Sequence, residues 1–202
     1  MQTDFCKQLG LEVPIFAFTH CRDVVVAVSK AGGIGVLGAV GFSPERLKEE
    51  LDGIDEHIGD HIYGVDTAIP QKYEGMDKNT PEELVAMLQA AIPQQHRDFA
   101  DKLMSDAGVP DWPDKDDEIS LSFSAVQAQA LVDIALTRPK CRMIVNALGT
   151  PPADIVKQVH DSGRLIGALA GRLKHGLAHK EAGLDFVVCQ GSEGGGHAGE
   201  VA

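Results

Sequence analysis

Short apolar runs alternate with amphipathic stretches along this chain, and the joints between them repeat one grammar. A stretch of helical period ends in a small residue plus glycine, and an apolar run follows. Ala31-Gly32-Gly33 precedes Ile34-Gly35-Val36-Leu37, Ser162-Gly163 precedes Leu165-Ile166-Gly167-Ala168-Leu169, and Ala182-Gly183 precedes Leu184-Asp185-Phe186-Val187-Val188. Glycine can take the left-handed conformation that closes a helix, so each pair marks a helix end. The runs that follow are short and nearly all apolar, as parallel strands buried on both faces are. Six strands are predicted, at about 13–18, 34–38, 61–66, 142–146, 164–169 and 184–189.

The stretches between them carry helical signals. Val24, Ala27, Val28 and Ala31 share one face at i, i+3, i+4 and i+7. Ser43-Pro44 offers an N-cap and a first-turn proline, with Leu47, Leu51, Ile54 and Ile58 as the apolar side. Thr80-Pro81-Glu82-Glu83 has capping-box form, followed by Leu84, Met87, Leu88 and Ala91. Phe123, Val126, Ala130 and Ile134 suggest a further helix, and Ile155, Val156 and Val159 another. Strand–helix alternation of this regularity means an α/β fold, a parallel sheet with helices outside it. A closed barrel and an open doubly wound sheet both fit. Residues 71–140 are too many for one crossover and are read as a helical insertion after the third strand. Such insertions often cover an active site; a surface excursion without a role fits as well.

Bulk properties narrow the classes. The 202 residues suit one domain, and 44% apolar with 24% charged residues is ordinary for a globular protein. A net charge of −12 gives no electrostatic reason to bind nucleic acid or anionic lipid. Cys6, Cys21, Cys141 and Cys189 form no CxxC pair and no zinc-like spacing, and they suggest a reducing compartment. No apolar run reaches the roughly 18 residues of a spanning helix, and residues 1–10 do not read as a signal peptide. A cytoplasmic location without membrane contact is the expectation.

The densest chemistry lies in Gln190-Gly191-Ser192-Glu193-Gly194-Gly195-Gly196-His197-Ala198-Gly199-Glu200, directly after the last strand. Its glycines let the backbone approach a ligand closely and expose N–H groups. In α/β proteins, ligands bind at the C-terminal ends of strands. The loop is neither GxGxxG opening a helix nor a GxxxxGK[ST] phosphate loop. A flexible glycine turn is the plain alternative. Glu193 and Glu200 flank His197 and either could orient it. His175 and His179 stand four apart without a third metal ligand, so they read as two solvated histidines, and no metal is expected. Cys21 and Cys189 read as buried small residues.

The segment Val187-Val188-Cys189-Gln190-Gly191-Ser192-Glu193-Gly194-Gly195-Gly196-His197-Ala198-Gly199-Glu200 resembles the signature strand and loop of nitronate monooxygenases. Pro14-Ile15, Val28 to Gly38, Tyr63-Gly64-Val65-Asp66 and Asn146-Ala147-Leu148-Gly149-Thr150-Pro151-Pro152 resemble other family segments in the right order. The resemblance implies a TIM-type (β/α)8 barrel with FMN at the C-terminal mouth. Residues 1–202 would make about its first six β/α units, an incomplete FMN-binding domain. It implies His197 as general base. It places Gln190, Gly195 and Gly196 in the element that lines FMN, and Asp66 where relatives have an FMN-lining asparagine. His20 stands where many relatives have methionine; it could reach the flavin or substrate, or cap the next helix. Asn146 could hydrogen-bond a substrate or serve as a structural amide. A nitroalkane is acidic at the carbon beside the nitro group, and histidine suits that proton near neutrality. The implied partners are a small-molecule substrate and O2, with homo-oligomers left open. FMN-dependent enoyl-acyl-carrier-protein reductases and NAD(P)H:quinone reductases share the barrel and are rival readings, as is an inactive truncated barrel. In phosphate-binding barrels the loops after strands seven and eight hold the phosphate, so this chain alone is expected to hold FMN weakly.

Overall fold

The computed structural model describes residues 3–69, 90–110 and 125–194. Six strands run β1 (Phe16–Thr19), β2 (Ile34–Gly38), β3 (Tyr63–Thr67), β4 (Cys141–Asn146), β5 (Leu165–Ala170) and β6 (Phe186–Cys189). The helices are α1 (Asp4–Leu9), α2 (Arg22–Lys30), α3 (Pro44–His57), α4 (Gln94–Asp106), α5 (Ala125–Leu136), α6 (Ala153–Asp161) and α7 (Leu173–Glu181). The predicted strand positions hold to within a few residues. Gly163 and Gly183, foreseen as helix stops, have φ of 73° and 80°.

All five strand pairings are parallel, and the spatial order is the chain order, β1 to β6. A doubly wound sheet reverses direction at a switch point, and this sheet does not. It is six units of a barrel-type sheet, with β1 and β6 at the edges. Two apolar clusters lie on its two faces. Leu47, Leu51, Ile54, Tyr63, Val65, Ile144, Ile155, Val159 and Ile166 join sheet to helices. Ile34, Val36, Met143 and Val145 form the inner face, with Leu165, Leu169 and Phe186 packed against them. At the strands' N-terminal end, α1 closes the interior. Thr3 caps it by accepting from the Cys6 amide, and Phe5 lies 5.6 Å from both Phe16 and Phe186. One aromatic thus bridges the first and last strands.

The faces of α3 and α6 are the predicted ones: Leu47, Leu51, Ile54 and Ile58 are fully buried, as are Ile155, Val156 and Val159 to within a few per cent. The face of α2 is not. Val24 is exposed, while Val25 and Ser29 are buried. The reason lies across the interface. A Cβ on Gly35 would stand 2.5 Å from the Val25 Cα and carbonyl oxygen, so the helix backbone rests directly on β2. The Ser29 hydroxyl accepts the Gly35 N–H at 3.0 Å, which explains a buried serine. Helix α5 likewise buries Ala128, Leu131, Val132 and Ala135, while Ala130 and Ile134 of the predicted face are half-buried. It is apolar nearly all round, so periodicity cannot select a side.

Helix α5 packs on β3, β4 and α3 and is the crossover of the third unit. The segment 71–140, read as inserted, therefore contains a barrel helix. Residues 72–121 form a separate compact unit, of which α4 is described. The capping-box segment, residues 80–89, and Phe123 lie outside the described residues. No described helix is long and apolar enough to cross a membrane.

Replacing Gly35 by Ala is expected to lift α2 from the sheet and cost about 1–3 kcal/mol, as overpacking does. Urea unfolding checks this; an unchanged midpoint would remove the close-approach account.

Candidate active site at the strand C-termini

Alternation along the strands decides which residues reach the interior. On β3, Tyr63 and Val65 belong to the sheet–helix core, so Gly64 and Asp66 face inward. On β4, Met143 and Val145 face inward, and Asn146 faces out. On β6, Phe186 packs inward. Gln190 donates its N–H to the Ala170 carbonyl at 3.0 Å, which extends the ladder past the strand, and alternation from Phe186 assigns it to the same inner side. His20, just beyond β1, lies on Gly38 of β2: a Cβ there would be 2.6 Å from the Phe18 ring and 2.7 Å from the His20 ring. Gly38 in turn is paired with Asp66. His20, Asp66 and Gln190 thus gather at one inner rim, the C-terminal mouth. Gly195, Gly196 and His197, with Glu200, lie outside the described residues.

His20 is held by a 2.9 Å hydrogen bond from Nδ1 to the Gly38 carbonyl. A carbonyl only accepts, so Nδ1 carries a proton, and in the neutral ring the lone pair is on Nε2. Phe18 packs edge-on against the ring at 5.0 Å. Gly38, which no catalytic pattern marks, makes this placement possible.

Asp66 is 4% exposed, and its Oδ1 has no hydrogen-bond partner among the described residues. Burial pushes its carboxyl up to about 7, because desolvation penalises the charged form. The other buried acid among the described residues, Glu50, is paired with Arg46 at 2.6 Å and Arg22 at 3.8 Å. Asp66 has no such cation in the described structure.

Asn146 is engaged by backbone groups of two loops. Its Oδ1 accepts from the Ile69 amide at 2.7 Å, and its Nδ2 donates to the carbonyls of Ile69 at 3.0 Å and Gly149 at 3.0 Å. Facing away from the interior, this fully buried amide ties the loop after β3 to the loop after β4. His179, expected in solvent, is also fully buried. It donates from Nε2 to the Leu169 carbonyl at 3.0 Å and accepts from the Thr150 hydroxyl at 2.8 Å, pinning the same loop to β5. Cys21 and Cys189 are exposed, because each sits at a strand or helix end beyond the packed faces. The buried cysteines are Cys6 and Cys141, and burial pushes the Cys141 thiol up to about 12, which makes it inert. A second polar cluster, in which Arg138 meets Asp52 at 2.7 Å and Asp55 at 3.4 Å and Tyr63 donates to Asp55 at 3.3 Å, lies at the opposite rim. It braces strand starts and faces no interior.

Six parallel strands in chain order, with polar side chains collected at their C-terminal ends, define an α/β barrel-type protein whose mouth is the candidate ligand site. The nitronate monooxygenase family model matches residues 14–202, and the chain belongs to that family. It is 45% identical over 205 residues to Rv1533 of Mycobacterium tuberculosis, named as a monooxygenase, covering 100% of this chain and 54% of that protein. It is 28% identical over 212 residues to a Staphylococcus saprophyticus protein named as a nitronate monooxygenase, covering 95% and 49%. Among solved structures, FabK from Thermotoga maritima superposes with TM-score 0.65 at 19% identity, over 100% of this chain and 48% of that one. A nitroalkane oxidase from Streptomyces ansochromogenes gives 0.65 at 20%, over 97% and 51%. These two show the shared fold. The chain spans about half the length of the curated relatives it matches.

The described mouth fits a flat, polar-edged group such as an isoalloxazine on two counts. Asp66 brings a buried oxygen without a partner among the described residues, and Gly38 lets the Phe18 and His20 rings lie close to the sheet.

Two outcomes follow from this geometry. Asn146→Ala is expected to cost about 3 kcal/mol, since it strands buried backbone groups of two loops; chemical unfolding measures it. Asp66→Asn is expected to stabilise the fold only as pH rises. The folded acid keeps its proton until about pH 7, whereas the unfolded one loses it near 3.8. The wild-type chain therefore loses stability between those values, by roughly 4 kcal/mol at 1.4 kcal/mol per pH unit. Unfolding curves at about pH 4 and pH 8 should coincide for the two proteins at the first and diverge at the second.

Proposed function

We propose that this chain forms the flavin-facing part of an FMN-dependent oxidoreductase that oxidises alkyl nitronates or nitroalkanes with O2. What supports the reading is that His20 and Asp66 meet across Gly38 at the strand C-termini, where Gln190 follows β6, in a chain of the nitronate monooxygenase family. Asp66 and Gln190, with the backbone of Gly195 and Gly196, would hold FMN. When bound, FMN supplies a two-electron acceptor that O2 can reoxidise.

The chain's own residues position the substrate and move its proton. His197 takes the proton from the carbon beside the nitro group. An imidazole is matched to that task because its ordinary pKa lies near neutrality. His20 directs the Nε2 lone pair, left free by the Nδ1 bond to Gly38, towards the substrate. Asn146 and His179 act indirectly, by holding the loops after β3 and β4 to the rim. The partners are a small nitro compound and O2.

Steady-state assays with propionate 3-nitronate, with NAD(P)H plus quinone and with an enoyl thioester should give turnover with the nitronate alone. His197→Asn is expected to lower turnover of a neutral nitroalkane by about 10²–10⁴-fold, while sparing a preformed nitronate, which needs no base. Absence of a flavin spectrum from both this chain and a longer version would remove the assignment.

A further inference from the structure

Of the two buried acids in the described structure, only Asp66 lacks a cation. A carboxylate buried without one is unfavourable, so the side chain is stable there chiefly as the neutral acid. In that form it has an O–H to donate and, among the described residues, an Oδ1 with no partner. It faces inward at the mouth, beside the glycine that seats His20. Among the described residues, the groups paired with it along the sheet carry no charge. From β2 come Gly38 and Ala39, and from β4 come Val145, inward, and Asn146, outward. His20 is the titratable neighbour, reached across Gly38.

A negative charge that appears beside such a group binds its proton more tightly. By linkage, the event that creates the charge must then draw a proton from solvent whenever the acid is ionised beforehand. We propose that Asp66 is a proton-storing charge compensator: it takes up a solvent proton when the bound flavin gains negative charge on reduction, and releases it on reoxidation. This rests on reading the mouth as the FMN site. In the uptake step the carboxylate and one solvent proton give the carboxylic acid. The electrons come from the substrate or an electrode and go to the ring, and no bond forms between ring and Asp66. The carboxyl thereby offers the reduced ring a hydrogen bond rather than a like charge.

The test is a proton count. FMN-loaded protein is reduced electrochemically at about pH 8 in weak buffer with an indicator dye, and protons taken up per two electrons are measured. The wild-type protein should take up about one proton more than Asp66→Asn. His20→Asn should behave like wild type, which excludes the imidazole as the acceptor. At about pH 5 the difference should vanish, because Asp66 is already protonated. Equal counts at the higher pH overturn the proposal. So does a ligand-free infrared spectrum at about pH 6 that lacks a protonated-carboxyl band removed by Asp66→Asn. Failure to load FMN at any pH would overturn the cofactor reading and the coupling with it; the infrared band would still tell whether Asp66 holds a proton, which separates the two failures.

Discussion

Neighbouring strands of this sheet are bonded in parallel, with one register shift between β3 and β4 at Tyr63/Gly64, and from there to the mouth side chains point alternately to two faces. Those two facts together leave little freedom over what reaches the mouth. Asp66 is inward because Val65 and Tyr63 are needed in the sheet–helix core. Asn146 is outward because Met143 and Val145 fill the interior. A slip of one residue in β4 would present the amide to a ligand and leave two loops untied. The polar chemistry is therefore tied to the apolar packing of the same strands, and the site cannot be altered by register without losing the core.

Close backbone approach is the second constraint. Gly35 lets α2 rest on β2, and Gly38 lets an aromatic ring and an imidazole lie on the same strand from the other face. Both glycines belong to one five-residue strand. Their lack of side chains brings helix, strand and mouth residues within hydrogen-bond reach: Ser29 to Gly35 on the outside, His20 to Gly38 on the inside. The strand is thin where the structure on either side is thick. Around it, buried amide and imidazole groups hold the rim through backbone carbonyls, so the loops are shaped by hydrogen bonds rather than by apolar contact.

Charge placement separates scaffold from site. At the N-terminal rim, Asp52 and Asp55 are compensated by Arg138, and at the helix layer Glu50 is compensated by two arginines. At the mouth, Asp66 is buried with no cation among the described residues. Stability alone would favour a neutral amide or an apolar side chain there. Active sites are where such perturbed groups gather, and the chain belongs to the nitronate monooxygenase family.

The order of strands and helices, the helix stops at Gly163 and Gly183, and the faces of α3 and α6 were written in the chain itself, because local periodicity and glycine conformation act over a few residues. Asp66 and Gln190 stood out through the resemblance of their segments to family motifs, not through periodicity. The face of α2 was not, since a glycine in the neighbouring strand, rather than the helix's own period, decides which side is buried. Nor was the face of α5, whose apolar residues encircle it. The role of Asn146, the burial of His179 and the seating of His20 on Gly38 depend on partners 77, 29 and 18 residues away in the chain. Contacts of that kind exist only once the parallel ladder has brought distant strands side by side, so tertiary structure alone could decide them.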